Sequence, residues 1–159
     1  MPTYRIEEKQ NSKDPALFLK TLLDTELKDA KVDFAIISVG ANDVTELDTD
    51  AHDFATLTNL ACEQSKDIAF LADHASKRFK IDIFIVERPP RIDDVNEPKN
   101  MRSTLTGSAN GLYMSLITPM ERVHLITLHS LSNYAGKARR DCFEQDGIHV
   151  NGKGSSNLS

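Results

Sequence analysis

The chain has 159 residues, of which 40% are hydrophobic and 27% are charged, and its formal net charge is -5. This composition excludes an intrinsically disordered chain, and a domain of this length can bury a hydrophobic core of its own. Two cysteines are too few for a disulfide scaffold, and the acidic balance argues against a dedicated nucleic-acid binder. Apolar runs fall short of a membrane-spanning length, and the first residues lack the apolar core of a secretory signal. The sequence therefore predicts a cytoplasmic protein with no membrane partner.

Helical and strand-like segments alternate along the chain. Apolar residues at helical spacing predict three helices, over Pro15–Lys28, Asp53–Phe79 and Pro98–Ile117. Near-continuous apolar runs rich in β-branched residues predict three strands, over Asp33–Val39, Ile81–Val86 and Val123–Leu128. Continuous runs of this kind are typical of parallel strands that are buried on both faces.

This alternation predicts one domain over residues 1–159, built as a three-layer α/β/α sandwich around a mainly parallel sheet. Residues 152–159 are rich in glycine and serine, and we expect this tail to fray. In open α/β sheets, ligands bind beyond the carboxyl ends of the strands. The loops that follow the three predicted strands are therefore the places to look for a functional site.

One candidate pair follows the third predicted strand. Asp146 precedes His149 by three residues, so the two side chains can meet across one tight turn. A carboxylate that holds one ring nitrogen leaves the other nitrogen to act as a base, as in a hydrolase triad. The alternative is an ordinary surface turn with an exposed histidine nearby, and the spacing alone does not exclude it.

A second candidate follows the first predicted strand. Gly40 allows the chain to turn sharply where the strand ends, and Asn42 then presents an amide donor that suits an oxyanion. Glycine, asparagine and aspartate are also common turn formers, so an ordinary turn is the alternative here.

Taken together, these segments resemble a known superfamily. Ser38–Asp43 (SVGAND) is similar to the third block, GxND, of the SGNH or GDSL-type esterases and lipases, and Asp146–Gly154 is similar to their fifth block, DxxH. Pro89 and Pro90, after the middle strand, are also similar to what many members carry there. The order and the strand-end placement agree over about residues 32 to 154.

The resemblance implies an SGNH-type, flavodoxin-like fold and hydrolysis of a small ester or acylated substrate through a serine acyl-enzyme. It implies that His149 is the general base, that Asp146 orients it, and that the Asn42 side chain is an oxyanion donor presented by the Gly40 turn. The resemblance implies no cofactor, and the remaining histidines show no metal-ligand spacing.

The nucleophile block of the superfamily is absent from this sequence. That block is a Gly-Asp-Ser turn after the first strand, whereas the first glycine here is Gly40. The only serine before the matched strand, Ser12, lies in a polar segment. The nucleophile is therefore unknown. Either the chain is N-terminally incomplete, or it is a shortened relative. We consider two functions: a weakly active or inactive hydrolase domain, and a non-catalytic binding or scaffold module.

Two further expectations concern partners. A missing strand–helix unit would leave one sheet edge uncovered, which predicts self-association. Lys137, Arg139 and Arg140 form a basic cluster that either contacts nucleic acid or is a solvated loop, and composition favours the loop. Arg88 and Arg91 are expected at the rim of the site, where either is a candidate to orient an anionic ligand.

Overall fold

The computed structural model describes residues 15–29, 31–40, 44, 47–92, 101–132 and 138–158. Its helices are α1 (Pro15–Lys28), α2 (Phe54–Phe79), α3 (Met101–Ile117) and α4 (Gly152–Asn157). Its strands are β1 (Phe34–Ile37), β2 (Asp82–Val86) and β3 (Val123–Ile126). Short 3-10 turns occupy His129–Leu131 and Arg140–Cys142. None of the helices in these ranges is long and apolar enough to cross a membrane.

The three predicted helices and three predicted strands are all present, with the strands one to three residues shorter than the apolar runs. Helix α2 shows why its boundaries were predictable. The Asp53 carboxylate caps its first turn by accepting the Thr56 N–H at 2.7 Å, and Lys80 ends it in a left-handed conformation at φ 57°.

The strands form one parallel sheet in the order β1-β2-β3. Phe34 pairs with Asp82, and Phe84 pairs with His124, so all three carboxyl ends point the same way. A helix connects each pair of neighbouring strands, as parallel pairing requires. The predicted α/β class with a parallel sheet is therefore confirmed.

Helices α1, α2 and α3 pack against the same face of the sheet. The main core joins buried side chains of these helices to inward-facing strand residues, namely Leu23, Ile68, Ala72, Tyr113 and Ile117 with Ile37, Ile83, Ile85 and Val123. Burial of this apolar surface is the principal driving force for the fold.

The opposite face of the sheet is only partly covered by the described residues. Phe34 is 45% exposed and Ile36 is 57% exposed, although both are large apolar side chains. The Phe84 ring meets Phe34 edge-on at 5.9 Å and stacks on His124 at 4.8 Å, so the exposed aromatic surface continues across the sheet. The expectation of strands buried on both faces is wrong for β1 and β3, each of which has two exposed residues on this face.

The C-terminal segment covers the end of this second face and is helical where we expected fraying. Val86 packs against a cluster formed by Leu128, Leu131, Cys142 and Phe143. Helix α4 begins at an Asn151 cap whose side chain accepts the Gly154 N–H at 3.0 Å, and Gly154 itself is buried against Cys142. The glycine and serine content of this tail gave no signal of this capped turn.

The exposed face of β1, and its edge, which pairs with no other described strand, predict that the chain self-associates at micromolar concentration. Unpaired strand edges and apolar patches invite such pairing. Ile36→Lys should weaken the association about tenfold or more by placing a charge in the contact. Phe70→Lys is the matched control, since Phe70 is equally exposed, at 56%, but lies on α2. Sedimentation velocity measures the effect, and a wild-type chain that stays monomeric would refute the prediction.

Candidate active site

Three loops meet at the carboxyl edge of the sheet. The strand-end loop, residues 87–92, follows β2 and contacts both neighbours. On one side, Nε of Arg88 donates to the carbonyl oxygen of Gly40 at 2.9 Å, just beyond β1. On the other side, the Ile92 N–H donates to the carbonyl oxygen of Gly147 at 3.0 Å, inside the DxxH segment. The two sequence motifs therefore contact one common loop.

Asp146 and His149 form a hydrogen-bonded pair. The Nδ1 atom of His149 lies 2.5 Å from Oδ2 of Asp146, while Oδ1 accepts the backbone N–H groups of Ile148 at 2.9 Å and His149 at 3.0 Å. Gly147 closes the turn at φ 68°, and a β-carbon there would collide with the Ile92 side chain. The turn thus holds the carboxylate against the ring in one arrangement.

The electrostatics of this pair suit a base. The hydrogen bond from the His149 ring, followed by those from the two backbone N–H groups, holds the pKa of Asp146 well below its ordinary value, so the carboxylate is charged. A charged carboxylate on Nδ1 assigns the proton to that nitrogen and leaves the lone pair on Nε2. The His149 side chain is 77% exposed, so Nε2 is open to a reactant.

Gly40 adopts the left-handed conformation at φ 96°, which glycine accepts without strain. The side chain of Arg88 lies so close to Gly40 that a β-carbon added there would stand 2.7 Å from Nε of Arg88. Gly40 is therefore required by both its backbone angle and its neighbour. Asn42 and Ser12 lie outside the described residues, so the convergence of Asn42 with His149 stays a prediction.

Arg88 is placed differently from its expected position at the rim. Its side chain is only 1% exposed and lies between β1 and helices α2 and α3, with Nη1 donating to Oγ of Ser65 at 2.9 Å. The expectation that Arg88 orients a ligand at the rim is therefore wrong, because its guanidinium group is buried. Its acceptors lie 23 and 48 residues away in sequence, and no local pattern signals such burial.

The basic cluster is engaged in its own loop as far as the structure describes it. Arg139 lies 3.3 Å from the Asp141 carboxylate. Arg140 donates to the carbonyl oxygens of Glu144 at 2.6 Å and Gln145 at 3.3 Å. Lys137 lies outside the described residues. Contact with nucleic acid stays an untested prediction, and both described guanidinium groups already have local partners.

A separate groove of about 960 Å³ lies between α3 and the segment that follows β3. Neither Gly40 nor the Asp146–His149 pair lines it. Its walls are formed by Glu87, Asn110, Gly111, Met114, Leu125, Thr127, His129, Ser130, Ser132 and Arg139. Glu87 belongs to the strand-end loop, and its side chain accepts the Leu128 N–H at 2.5 Å. The groove therefore borders this loop but does not include His149.

Comparison with known proteins supports the fold. No family model matches the sequence, and no curated protein matches it either. Solved structures do match: a GDSL-like lipase from Bacteroides thetaiotaomicron superposes over 91% of this chain and 67% of its own, with TM-score 0.62 and 16% identity. The carbohydrate acetylesterase Est24 from Sinorhizobium meliloti superposes over 96% and 67%, with TM-score 0.56 and 15% identity. An aryl esterase from M. smegmatis gives 96% and 67%, with TM-score 0.54 and 16% identity.

The chain thus has the fold of the SGNH or GDSL-type hydrolases, as the sequence resemblance implied. Across six of the matched structures, it spans 64–67% of the other chain's length. About a third of each of those proteins therefore has no counterpart in the present chain. At sequence identities this low, the superpositions establish the shared fold alone, and the activity has to be argued from the site.

The surroundings of Gly40 and Gly107 predict opposite effects on stability when each glycine is replaced by alanine. Gly40→Ala should lower the free energy of unfolding by about 2 to 3 kcal/mol, because alanine is strained at this φ and its β-carbon meets Arg88. Gly107→Ala is the control, because Gly107 lies inside α3 with open space around it, and it should stabilise by about 0.5 to 1 kcal/mol. Urea denaturation measures both, and a neutral Gly40→Ala would contradict the described turn.

The Asp146–His149 turn predicts a pH-dependent contribution to stability. Because the folded pKa of Asp146 is depressed, its contribution is present above the unfolded pKa of about 4 and is lost as the pH falls towards the folded value. Asp146→Asn should therefore destabilise the chain more at pH 5 than at pH 3. Urea denaturation at pH 5 and at pH 3 measures the difference in the free energy of unfolding between the wild-type chain and the variant. An equal difference at the two pH values would mean that the carboxylate is not held as described.

Proposed function

We propose that the chain is an ester hydrolase domain of the SGNH type, in which His149 is the general base and Asp146 orients it. The observation that carries this proposal is the 2.5 Å contact between His149 Nδ1 and Asp146 Oδ2, with Nε2 open to solvent. A fold shared with lipases and esterases supports the same reaction class. The substrate class is a small ester or an acylated compound.

In the proposed reaction, Nε2 of His149 takes the proton of a serine hydroxyl while the serine oxygen attacks the acyl carbon of the ester. The Asp146 carboxylate stabilises the imidazolium that forms. The Asn42 amide donates a hydrogen bond to the developing oxyanion. His149 then returns the proton to the leaving alcohol, and the same base activates the water that hydrolyses the acyl-enzyme.

The serine itself is proposed to come from outside the present sequence. Residues 1–39 contain no glycine, so none of them can form a Gly-Asp-Ser turn. Two of the matched structures superpose over 91% of this chain and 64–67% of their own length, so they are roughly 1.4 times as long as this chain, which leaves room for such a unit. On its own, the chain should hydrolyse esters poorly, because a triad without its nucleophile retains only the rate due to binding and oxyanion stabilisation.

The absent serine also favours a second function. A domain that keeps the Asp146–His149 pair and the strand-end loops but has no nucleophile can bind an acylated ligand or a protein partner without turnover. The two functions differ in what restores them: an added serine unit converts the first into an enzyme and leaves the second inert.

A serine-directed fluorophosphonate probe and hydrolysis of p-nitrophenyl acetate test the proposal. The chain alone should stay unlabelled, with turnover close to buffer. A fusion that places a strand and a Gly-Asp-Ser turn ahead of the chain should become labelled and active. In the fusion, His149→Gln should lower kcat at least a thousandfold. His52→Gln is the control, because His52 is an exposed histidine just before α2, and it should leave kcat unchanged.

Two outcomes would contradict the proposal. Strong labelling of the chain alone would mean that a serine already present completes the triad, with Ser12 the first suspect. A well-folded fusion that is neither labelled nor active would favour the binding module instead.

A further inference from the structure

The Arg88 side chain is the only charged side chain in the core of the described residues. It lies just after β2 and is 1% exposed. Its Nε donates to the Gly40 carbonyl oxygen at 2.9 Å, and its Nη1 donates to Oγ of Ser65 at 2.9 Å. One guanidinium group therefore joins the loop after β1 to helix α2.

Helix α3 fixes the backbone of the same residue. The Arg88 N–H donates to Oδ1 of Asn110 at 2.9 Å, and Nδ2 of Asn110 donates back to the Arg88 carbonyl oxygen at 2.8 Å. Ser65 passes the connection on by donating to the Ala109 carbonyl oxygen at 2.9 Å. The guanidinium carbon also lies 5.7 Å from the centre of the Tyr113 ring. Arg88 is thus held at both ends by the two helices, whereas Gly40 belongs to a loop.

Among the described residues, the contacts of Arg88 do not by themselves account for a charge at this position. Within the described residues, no carboxylate lies within ion-pair distance of Arg88, and its Nη2 has no hydrogen-bond partner. A buried charge without a counter-ion is costly, and an apolar side chain of similar volume is often more stabilising. What an apolar side chain lacks is the directed pair of donors that fixes a carbonyl group and a hydroxyl group at once.

We infer that Arg88 is a positioning residue for the candidate active site, and that it acts by fixing the Gly40 turn. Gly40 has a φ of 96°, and holding its carbonyl oxygen fixes the plane of the peptide bond that follows it. The direction in which the chain leaves Gly40 follows from that plane. The absence of a β-carbon at Gly40 lets the guanidinium approach this closely. The catalytic consequence rests on the proposed function, whereas the effect on the turn does not.

The effect on the turn is tested in the chain itself by NMR. Arg88→Lys keeps the charge but cannot reproduce both hydrogen bonds, so the amide signals of Gly40 to Asn42 should shift and broaden or double. Arg122→Lys is the matched control, because Arg122 also donates to a carbonyl of a left-handed residue, Lys80, at 3.3 Å, at the opposite edge of the sheet. It should leave the Gly40 to Asn42 signals in place.

A second pair of variants covers the case in which Arg88→Lys does not fold. Ser65→Ala removes the Nη1 acceptor with little change of volume, and it should move the Gly40 to Asn42 signals although Ser65 lies on α2. Ser76→Ala is its control, because Ser76 is equally buried in α2 but donates to the Asp73 carbonyl oxygen instead. Unchanged Gly40 to Asn42 signals in Ser65→Ala, or in a folded Arg88→Lys, would overturn the inference.

The catalytic consequence is measured in the serine-bearing fusion. If Arg88 positions an oxyanion donor, Arg88→Lys should lower kcat by about tenfold to a hundredfold and leave KM within about twofold, because the misplacement matters only in the transition state. A loss of stability with unchanged kcat would show a merely structural role and overturn this part. An inactive wild-type fusion would count against the proposed function, while the NMR result on the turn would still decide the inference.

Discussion

The candidate site depends on the hydrogen bond from the Arg88 guanidinium to the Gly40 carbonyl oxygen. Parallel pairing aligns the carboxyl ends of β1 and β2, but it does not determine where the loops beyond them go. Arg88 connects the first loop to the helical layer, and Ile92 connects the DxxH segment to the same strand-end loop. Residues far apart in sequence therefore reach one edge through a single short segment, residues 87–92.

The part of the site that could be predicted from sequence is the part made by local contacts. Asp146 and His149 are three residues apart, and the hydrogen bonds that the Asp146 carboxylate accepts all come from within that span. Spacing and turn chemistry suffice for such a pair. The role of Arg88 could not be predicted in this way, because its burial depends on acceptors from the loop after β1 and from α2 that only the folded chain brings near.

The strands show a similar division. Their β-branched composition correctly predicted three parallel strands connected by helices. The same composition predicted two buried faces, yet Ile36 on β1 is more than half exposed. An apolar run indicates that both faces of a strand favour burial. It does not indicate which segment, or which molecule, packs on each face.

The central claim is that the Gly40 turn and the DxxH turn serve one site, and the distance from position 42 to His149 tests it most directly. A nitroxide at Asn42→Cys, in a chain with Cys62→Ser and the buried Cys142 retained, should broaden the NMR signal of the His149 ring. The expected separation is within roughly 15 Å, since both groups must reach one reacting centre. The signal of His74, which lies on α2 towards the opposite edge, should stay sharp. A His149 signal as sharp as that of His74 would place the two motifs at different sites and contradict the account.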